Sequence, residues 1–505
     1  MNRNSLTTAV VAGIAGVAGI ANMANAVNLN PDGLGQVLLY PYYTVNAGQG
    51  TLLSVVNTTG IGKAVKVRFL EAYNSREVLD FNLFLSKYDV WTANVFKLSD
   101  AGLSGDGAAI FSGDNTCTAP LFGQGPLANG FGYQPFLNFA YTGAYSDSGP
   151  TDDTRTLEGH FEMISMADIL NPSPLNTLIQ HVNSKPKNCG TVAQGGLTDP
   201  EVRFETLLDN LPPTSGLFGA AAIVNTANGT YYGYNADAID GFTAVTLANT
   251  TGSLLPNLAQ VNDVGGASST AYVFNNGALV TATYPVNDID AVSDLFTASN
   301  VYNEWEHTSN GTIGTDWVVN FPTKRFYVDP LFTSSSCAIA PFETAFGYDR
   351  ACNATSPGKS CDVVGLGIFD REENTTVQTS CGFSPCPPGA PPSSLCYETN
   401  IISFGGTSIL GSNVTRNINN LIGSAGWLRL SFTDATHGGT APTGDAHASN
   451  PDLGGTVFYG LPTTGFMATD FVVTTGGASL GNYSGVYRHR ISRCIDTTAN
   501  AAACS

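Results

Sequence analysis

The chain has 505 residues, with 40 acidic and 21 basic side chains and a formal net charge of −19 at pH 7. Charged residues make up 12% of it, about half of the share that is usual in soluble proteins. A weakly charged chain with an acidic excess presents no basic surface. Binding to nucleic acid or to anionic lipid is therefore excluded as its principal role.

The amino-terminal residues have the order of a secretory signal. Arg3 precedes an apolar run over residues 9–20, and Ala24 and Ala26 place small side chains at the end of the segment. This order is typical of a signal peptide, whereas a membrane anchor needs about 20 apolar residues. Residues 1–26 are therefore predicted to be removed on export. The mature protein is expected at the cell surface, outside the cell or in the periplasm, with no membrane span.

The cysteine content fits an oxidising compartment, because an even number of cysteines in an exported chain predicts disulfides. The ten cysteines are Cys117, Cys189, Cys337, Cys352, Cys361, Cys381, Cys386, Cys396, Cys494 and Cys504. Spacing does not determine the connectivity, although Cys117–Cys189 and Cys494–Cys504 are suggested as local pairs. A zinc site is the alternative, and only Cys381 and Cys386 approach the spacing of zinc ligands.

Alternating polarity predicts strands soon after the signal segment. In residues 64–69, Val65 and Val67 alternate with Lys66 and Arg68, and residues 78–86 repeat the pattern. A period of two is typical of a strand with one face in the core and the other in water. Lys66 and Arg68 are therefore predicted to face solvent.

Helical periodicity appears in three segments, over residues 175–182, 199–211 and 290–306. The second begins with an Asp-Pro pair and the third with Asp290, which are residues typical of helix starts. No regular alternation of strands and helices runs through the chain, which argues against an open parallel sheet. The helices are therefore expected as insertions in antiparallel sheets.

These patterns predict a mostly β protein. The expected fold is an antiparallel β-sandwich, immunoglobulin-like or jelly-roll-like, with a few short helices in insertions and a disulfide-rich loop region. The predicted organisation is a signal peptide (1–26), a sandwich region (27–335) with helical insertions at about 160–211 and 290–306, a Cys/Pro-rich insertion (336–400) and terminal strands (401–505). The terminal strands either complete the sandwich or form a second one.

The segment TDWVVNFPTKRFYVD, residues 315–329, concentrates aromatic and charged side chains. Its first half alternates like a strand up to a proline, and RFYV is predicted to resume a strand after a bend. Lys324 and Arg325 lie at this bend, near Asp316 and Asp329. They are expected to be solvated or to form a surface ion pair worth ~0–1 kcal/mol.

The sequence provides no catalytic constellation. Glu304 and Glu306 are the best local pair of carboxylates, but residues i and i+2 point apart on the helix that is predicted there. Ser479 lies in a G-x-S-x-G pattern within a predicted strand, whereas a nucleophile elbow needs a strand-to-helix turn. We therefore assign no catalytic and no cofactor-binding residue.

Two acidic clusters are candidates for calcium. Their candidate ligands are Asn235, Asp237, Asp240, Asp288 and Asp290. Calcium takes six to eight oxygen ligands, and neither cluster has the register of an EF-hand loop. A calcium-stabilised surface protein therefore remains a minority hypothesis.

Four segments resemble one family of exported proteins of Gram-negative bacteria. They are GQVLLYPYYTVNAGQGTLLSVVNTT, AVKVRFLEAYNSREVLDFNLFLSKYDVW, YNADAIDGF and TDWVVNFPTKRFYV. The resemblance implies export, but it carries no activity and no functional residue. It does not extend to the cysteine-rich stretch.

The sequence favours an exported structural protein that acts in adhesion, cell-envelope assembly or extracellular-matrix assembly, without catalytic turnover. The expected partners are other surface proteins, envelope polysaccharide, or further copies of the chain in a homo-oligomer or polymer that forms by strand addition. The alternative is a carbohydrate-binding module or carbohydrate-active hydrolase. Trp305, Tyr231 and Tyr232 are its candidate stacking platforms.

Overall fold

The fold is known from a computed structural model. It describes residues 26–123, 125–192, 210–247, 249, 252–261, 268–285, 288–333, 335–377, 394–406, 408–419, 421–433, 447–475 and 478–497. All but the last residue of the predicted signal peptide, most of the helix predicted over 199–211, and the cysteines at 381, 386 and 504 lie outside these ranges. Residues 210–211, at the end of that predicted helix, form a strand.

Strands dominate the described residues, as the sequence predicted. The first eighteen are β1 (Ala26–Leu29), β2 (Val37–Thr44), β3 (Gly50–Asn57), β4 (Gly62–Glu71), β5 (Glu77–Leu85), β6 (Val90–Lys97), β7 (Ala108–Phe111), β8 (Cys117–Ala119), β9 (Tyr133–Pro135), β10 (Glu158–Ile169), β11 (His181–Val182), β12 (Lys185–Pro186), β13 (Asn210–Leu211), β14 (Leu217–Asn225), β15 (Thr230–Asn235), β16 (Asp237–Asp240), β17 (Ser269–Asn275) and β18 (Ala278–Tyr284).

Sixteen more strands follow. They are β19 (Thr297–Ala298), β20 (Asn300–Glu306), β21 (Ile313–Asn320), β22 (Asp362–Val363), β23 (Gly365–Asp370), β24 (Thr375–Val377), β25 (Ser394–Leu395), β26 (Thr399–Phe404), β27 (Thr415–Ile418), β28 (Ala425–Ser431), β29 (Val457–Tyr459), β30 (Leu461–Pro462), β31 (Thr464–Thr475), β32 (Ala478–Arg488), β33 (Arg490–Ser492) and β34 (Cys494–Asp496). The α-helices of the described residues are α1 (Pro174–Ile179), α2 (Asp288–Phe296) and α3 (Arg325–Val328).

Four sheets carry most of these strands. Sheet A has the order β18-β17-β1-β16-β2-β10-β4-β5-β8, with β13 beside β10, and sheet B has the order β15-β14-β3-β6-β7-β9. Sheet C has the order β24-β23-β28-β20-β33, and sheet D has the order β27-β26-β21-β31-β32. Pairing is antiparallel except between β1 and β17 and between β26 and β27.

The sheets form layers around two large cores. Leu38 of sheet A and Val318 of sheet D pack in a core that sheet B closes, whereas their neighbours Val37 and Trp317 pack in a second core with sheet C and α2. Because successive side chains on a strand point to opposite faces, sheets A and D together form a middle layer with a core on each side. The predicted mostly β, antiparallel sandwich with a few short helices is confirmed.

Two of the three predicted helices are shorter than their periodicity suggested. The first ends at Ile179 instead of continuing to residue 182. The third ends at Phe296, and the residues up to Glu306 form strands β19 and β20. Phe296 is the last apolar residue of a helix face that packs into the core, and strand pairing with sheet C takes over beyond it.

The charges predicted to face solvent are buried. Lys66 and Arg68 are fully enclosed, because the second half of the chain covers the face of sheet A that was expected in water. Arg68 donates to Glu162 at 2.7 Å, and Lys66 pairs with Asp80. A buried charge is tolerated only when it is paired, and these pairs meet that requirement.

The segment 315–329 is wrongly predicted after its strand. RFYV forms helix α3 instead of a strand, and both neighbouring cations are buried. Lys324 pairs with Asp362 at 2.7 Å, while Arg325 reaches Glu162 at 3.2 Å. The cations of this segment therefore stabilise the interior through buried ion pairs and are not at the surface.

Asp316 and Asp329, the two acids of the same segment, are also buried. Asp316 accepts hydrogen bonds from Ser403, Ser408 and the backbone of Leu410, and burial raises the pKa of its carboxyl to about 6. Asp329 pairs with the guanidinium of Arg76 at 3.2 Å. The expectation of a surface ion pair therefore fails for all four charges of the segment.

His160→Gln is expected to reduce the acid sensitivity of the fold. His160 is buried, neither of its ring nitrogens has a hydrogen-bond partner, and desolvation, with the charges of Arg325 and Arg68, lowers its pKa from 6.5 to about 3. Because the folded state resists protonation, this group lowers the free energy of unfolding as the pH falls below its unfolded pKa, by roughly 1.4 kcal/mol per pH unit. Urea titrations should show that the wild type loses about 2 kcal/mol more than the variant between pH 7 and pH 5. Equal losses would contradict this assignment.

Three disulfides are formed within the described residues. They join Cys117 to Cys189, Cys337 to Cys352, and Cys361 to Cys396. The first is one of the two pairs suggested from the sequence. Cys494 is also disulfide-bonded, and Cys504, its suggested partner, lies outside the described residues. No helix in the described part of the chain has the length and apolar character needed to cross a membrane.

Candidate functional site

The solvent face of sheet B is almost free of charge. Across its six strands the only Asp, Glu, Lys, Arg or His is Lys97, at the end of β6. Large apolar side chains such as Leu52, Val90 and Phe218 are exposed on this face. Contiguous exposed apolar surface of this kind marks interaction sites in soluble proteins.

A groove of about 400 Å³ lies across the middle of this face. Its floor combines small apolar and small polar side chains, and an aromatic ring stands at each side. The lining includes Leu52, Ser54, Thr92, Asn94, Phe111, Gly113, Ala220, Ala222 and Tyr231. Gly233, Ala222, Leu52, Asn94 and Phe111 are successive Cα partners across five strands. Four strand spacings make this row roughly 19 Å long.

Two aromatic rings lie directly over glycines on this face. A Cβ atom added at Gly233 would come within 2.7 Å of the Tyr231 ring, and one at Gly113 within 3.3 Å of the Phe131 ring. Because glycine has no side chain, each ring can pack directly on the backbone of its glycine. Aromatic residues cover glycines in β-strands in the same way. Tyr231 is 61% exposed and Phe131 41%. Both rings are therefore fixed in place and accessible.

The backbone of Tyr231 is held by a neighbouring sheet. Its N–H donates to Ser484 Oγ at 2.8 Å, and the same hydroxyl donates to the Tyr231 carbonyl at 2.9 Å. Ser484 lies on β32, the edge strand of sheet D, so its side chain links the edges of sheets B and D. This contact pre-organises the ring before any ligand arrives.

Only one of the three predicted stacking residues is placed for binding. Tyr231 is exposed, whereas Tyr232 and Trp305 are buried in the two cores. Burial raises the pKa of the Tyr232 hydroxyl far above its ordinary value. The predictions for Tyr232 and Trp305 were wrong because neighbouring side chains on a strand face opposite sides.

Glu304 and Glu306 lie on strand β20 and not on a helix. Glu306 pairs with Arg371 at 2.7 Å. Glu304 lines a shallow depression of about 390 Å³, together with Tyr302, Asn303, Trp427, Tyr487 and Arg490. Hydrolysis of a glycosidic bond requires two carboxyl groups across the substrate, and the described lining of this depression contains one.

Three of the five calcium candidates are engaged in other contacts. Asp237 accepts from Arg488 at 2.5 Å, and Asp290 accepts from the Tyr327 hydroxyl at 2.6 Å. Asp240 accepts the N–H of its neighbour Gly241, and Asn235 is exposed at the end of β15. Asp288 is the first residue of α2.

One group of metal-ligand types comes together in the described ranges, and it contains none of the calcium candidates. It consists of Glu343, Asp362 and His447. Both ring nitrogens of His447 lie within 2.9 Å of carbonyl oxygens, and Lys324 Nζ is 2.7 Å from Asp362. A ring nitrogen that donates to a carbonyl has no lone pair for a metal. This arrangement fits a buried ion network better than a metal centre.

The groove of sheet B is therefore the best-formed interaction site of the uncharged surface. It offers hydroxyl and amide groups from Ser54, Thr92 and Asn94 between the Tyr231 ring and the Phe111 ring, against which the accessible Phe131 ring stacks. Its described lining contains no acid, base or nucleophile pair, so it supports binding by stacking and hydrogen bonding. No protein-family model, curated protein or solved structure matches the chain.

Proposed function

We propose that the protein is an exported, non-catalytic adhesion component of the cell surface or extracellular matrix, and that it holds neutral polysaccharide in the groove of sheet B. The observation that carries this proposal is the exposed Tyr231 ring, which covers Gly233 at one side of an uncharged polar floor, with Phe131 covering Gly113 next to the opposite side. Export is supported by the signal-like amino terminus and by the disulfides, which form in oxidising compartments.

A sugar polymer matches the groove in both of its chemistries. The C–H faces of pyranose rings pack against aromatic side chains, whose bodies are apolar. Sugar hydroxyls both donate and accept hydrogen bonds, as do Ser54, Thr92 and the amide of Asn94. The shape of the groove, long and open across five strands, suits a chain better than a compact ligand.

The negative net charge of the protein favours binding of a neutral polysaccharide over an acidic one. The protein has a formal net charge of −19, and the described residues that line the groove include no Lys or Arg. An acidic polysaccharide would meet long-range repulsion with no compensating ion pair. Binding should therefore be insensitive to salt, since screening weakens only interactions between charges.

Tyr231→Ala is expected to weaken binding to neutral polysaccharide by at least about tenfold, roughly 1.4 kcal/mol. The protein would be sedimented with cellulose, mannan and cross-linked dextran, with alginate as the acidic comparison. Tyr88→Ala is the matched control, because Tyr88 is 70% exposed and does not line the groove. Wild type and control should be retained on at least one neutral polymer and not on alginate.

Absence of retention on every neutral polymer would overturn the proposal. Equal retention of Tyr231→Ala and wild type would overturn the assignment of the groove. A change in the sedimentation coefficient of Tyr231→Ala without any polysaccharide would instead show that this face joins copies of the chain.

A further inference from the structure

A second and more enclosed cavity lies along strand β5 of sheet A. Its volume is about 530 Å³, within the range that small-molecule sites occupy, about 300–1,000 Å³. Its lining is mainly aliphatic and aromatic, and consists of Glu77, Val78, Leu79, Asp80, Phe81, Pro120, Phe122, Gln134, Leu137, Phe139, Ala140, Tyr145, Gly252, Leu254 and Leu331. It shares no residue with the groove of sheet B.

The rim of this cavity gathers exposed apolar side chains. Phe139 is 67% exposed, and Leu137, Tyr145, Leu254 and Leu331 are exposed beside it. Phe139 and Tyr145 pack against each other with ring centroids 5.0 Å apart. Single exposed apolar residues are ordinary, but a ring of them around an apolar hollow marks a ligand site.

Two carboxylates are the ionisable groups among the described lining residues apart from the Tyr145 hydroxyl. Glu77 Oε2 lies 2.6 Å from Arg68 Nε, and Asp80 pairs with Lys66 while accepting the N–H of Gly252 at 2.9 Å. Arg68 and Lys66 are fully buried on β4, the strand paired with β5, and do not line the cavity. The cavity wall therefore presents the acceptor oxygens of the two carboxylates, whereas the cations that neutralise them lie on the adjacent strand.

The acceptor oxygens of the cavity wall determine which head-group chemistry a ligand can have. The ion pairs remove most of the net charge, so the wall is a hydrogen-bond acceptor more than an anionic trap. An alcohol or an ammonium group has protons to donate to the carboxylates. A carboxylate or phosphate head would bring acceptors to acceptors, with no Lys, Arg or His in the described lining to receive it.

We propose that this cavity binds an amphipathic molecule with an apolar chain and a hydrogen-bond-donating head group, a hydroxyl or an ammonium. The apolar chain packs against the exposed rim side chains Leu137, Phe139, Tyr145 and Leu254, and the head reaches Glu77 and Asp80. This function is independent of polysaccharide binding. It gives the protein a second ligand of a different chemical class.

Nile red, a neutral dye that fluoresces in apolar surroundings, tests the cavity directly. The wild type is expected to bind it saturably with one site per chain. The double variant Leu137→Ser, Phe139→Ser should bind it at least tenfold more weakly. Leu453→Ser is the control, since Leu453 is 66% exposed and does not line the cavity. Both changes are at exposed positions, and circular dichroism would verify the fold of each variant.

Displacement of the dye tests the head group. Decanol and decylamine should displace Nile red at concentrations at least tenfold lower than decanoate, which has the same chain length. Nile red binding that is not saturable, or that the double variant leaves unchanged, would overturn the site. Equal displacement by decanoate would overturn the assigned head group. Neither result would bear on retention by polysaccharide, because the two linings are separate.

Discussion

Arg155→Leu is expected to lower the free energy of unfolding by about 3–5 kcal/mol, because it leaves two buried carboxylates without their cation. The guanidinium donates from Nε and Nη2 to the two oxygens of Glu71, at 2.8 and 2.9 Å, and from Nη1 to Asp147 Oδ1 at 2.9 Å. All three side chains are fully buried. Glu71 in turn accepts the N–H groups of Tyr73, Asn74 and Arg76, so it also fixes the turn between β4 and β5.

Arg371→Leu is the matched control for this prediction. Arg371 makes an ion pair of similar length with Glu306, 2.7 Å, but its side chain is exposed. An exposed pair contributes ~0–1 kcal/mol. Urea unfolding of both variants would measure the difference. If Arg155→Leu lost no more stability than Arg371→Leu, the buried network would not support the fold as described.

Replacing both Cys117 and Cys189 by Ala is expected to lower the free energy of unfolding by about 2–4 kcal/mol. The bond closes a loop with a sequence separation of 72 and anchors β8, the edge strand of sheet A. Its main effect is to limit the unfolded chain, and that effect grows with the logarithm of loop length. Cys117 also packs in a small core with Phe84 and Met166.

The pair Cys337 and Cys352, with a separation of 15, provides the comparison. Loop entropy predicts that its removal lowers stability by about 1.4 kcal/mol less than removal of the longer cross-link. Chemical denaturation of the two double variants, each with the other disulfides intact, would measure the difference. A larger loss from the short loop would contradict the entropic explanation.

The strands were predictable because their signal is local. Val65 and Val67 alternate with Lys66 and Arg68, and this period identifies β4 without any knowledge of its partners. The environment of each face was not predictable in the same way. The second half of the chain supplies Arg325, which reaches Glu162 on β10 of sheet A. The alternation in β4 contains no information about residues so much later in the chain.

The binding face was only partly predictable, for the same reason. Tyr231 and Tyr232 necessarily point to opposite sides of β15, but which ring is exposed depends on the layer that sheet D forms. The packing of Tyr231 on Gly233 could be predicted from the local sequence, since Gly233 lies two residues further along the same strand. The packing of Phe131 on Gly113 could not be predicted in this way, because a loop and strand β8 separate the two residues in the sequence.

Helix α3 shows tertiary structure overriding local preference. RFYV is rich in residues that favour strands, yet it forms one helical turn between buried ion pairs. The turn brings Lys324 to Asp362 and Arg325 to Glu162. Long-range ion pairs therefore outweigh the strand propensity of this segment.

The central claim, binding of neutral polysaccharide without turnover, is tested most directly by titrating the mature protein with a soluble neutral oligosaccharide from the polymer that retains it. Calorimetry would record the binding, and chromatography of the same samples would record the length of the sugar. We expect saturable heat from which Tyr231→Ala shows an affinity at least about tenfold lower than the wild type, with the oligosaccharide recovered at its original length. Shortened products, or an affinity that Tyr231→Ala leaves unchanged, would contradict the account.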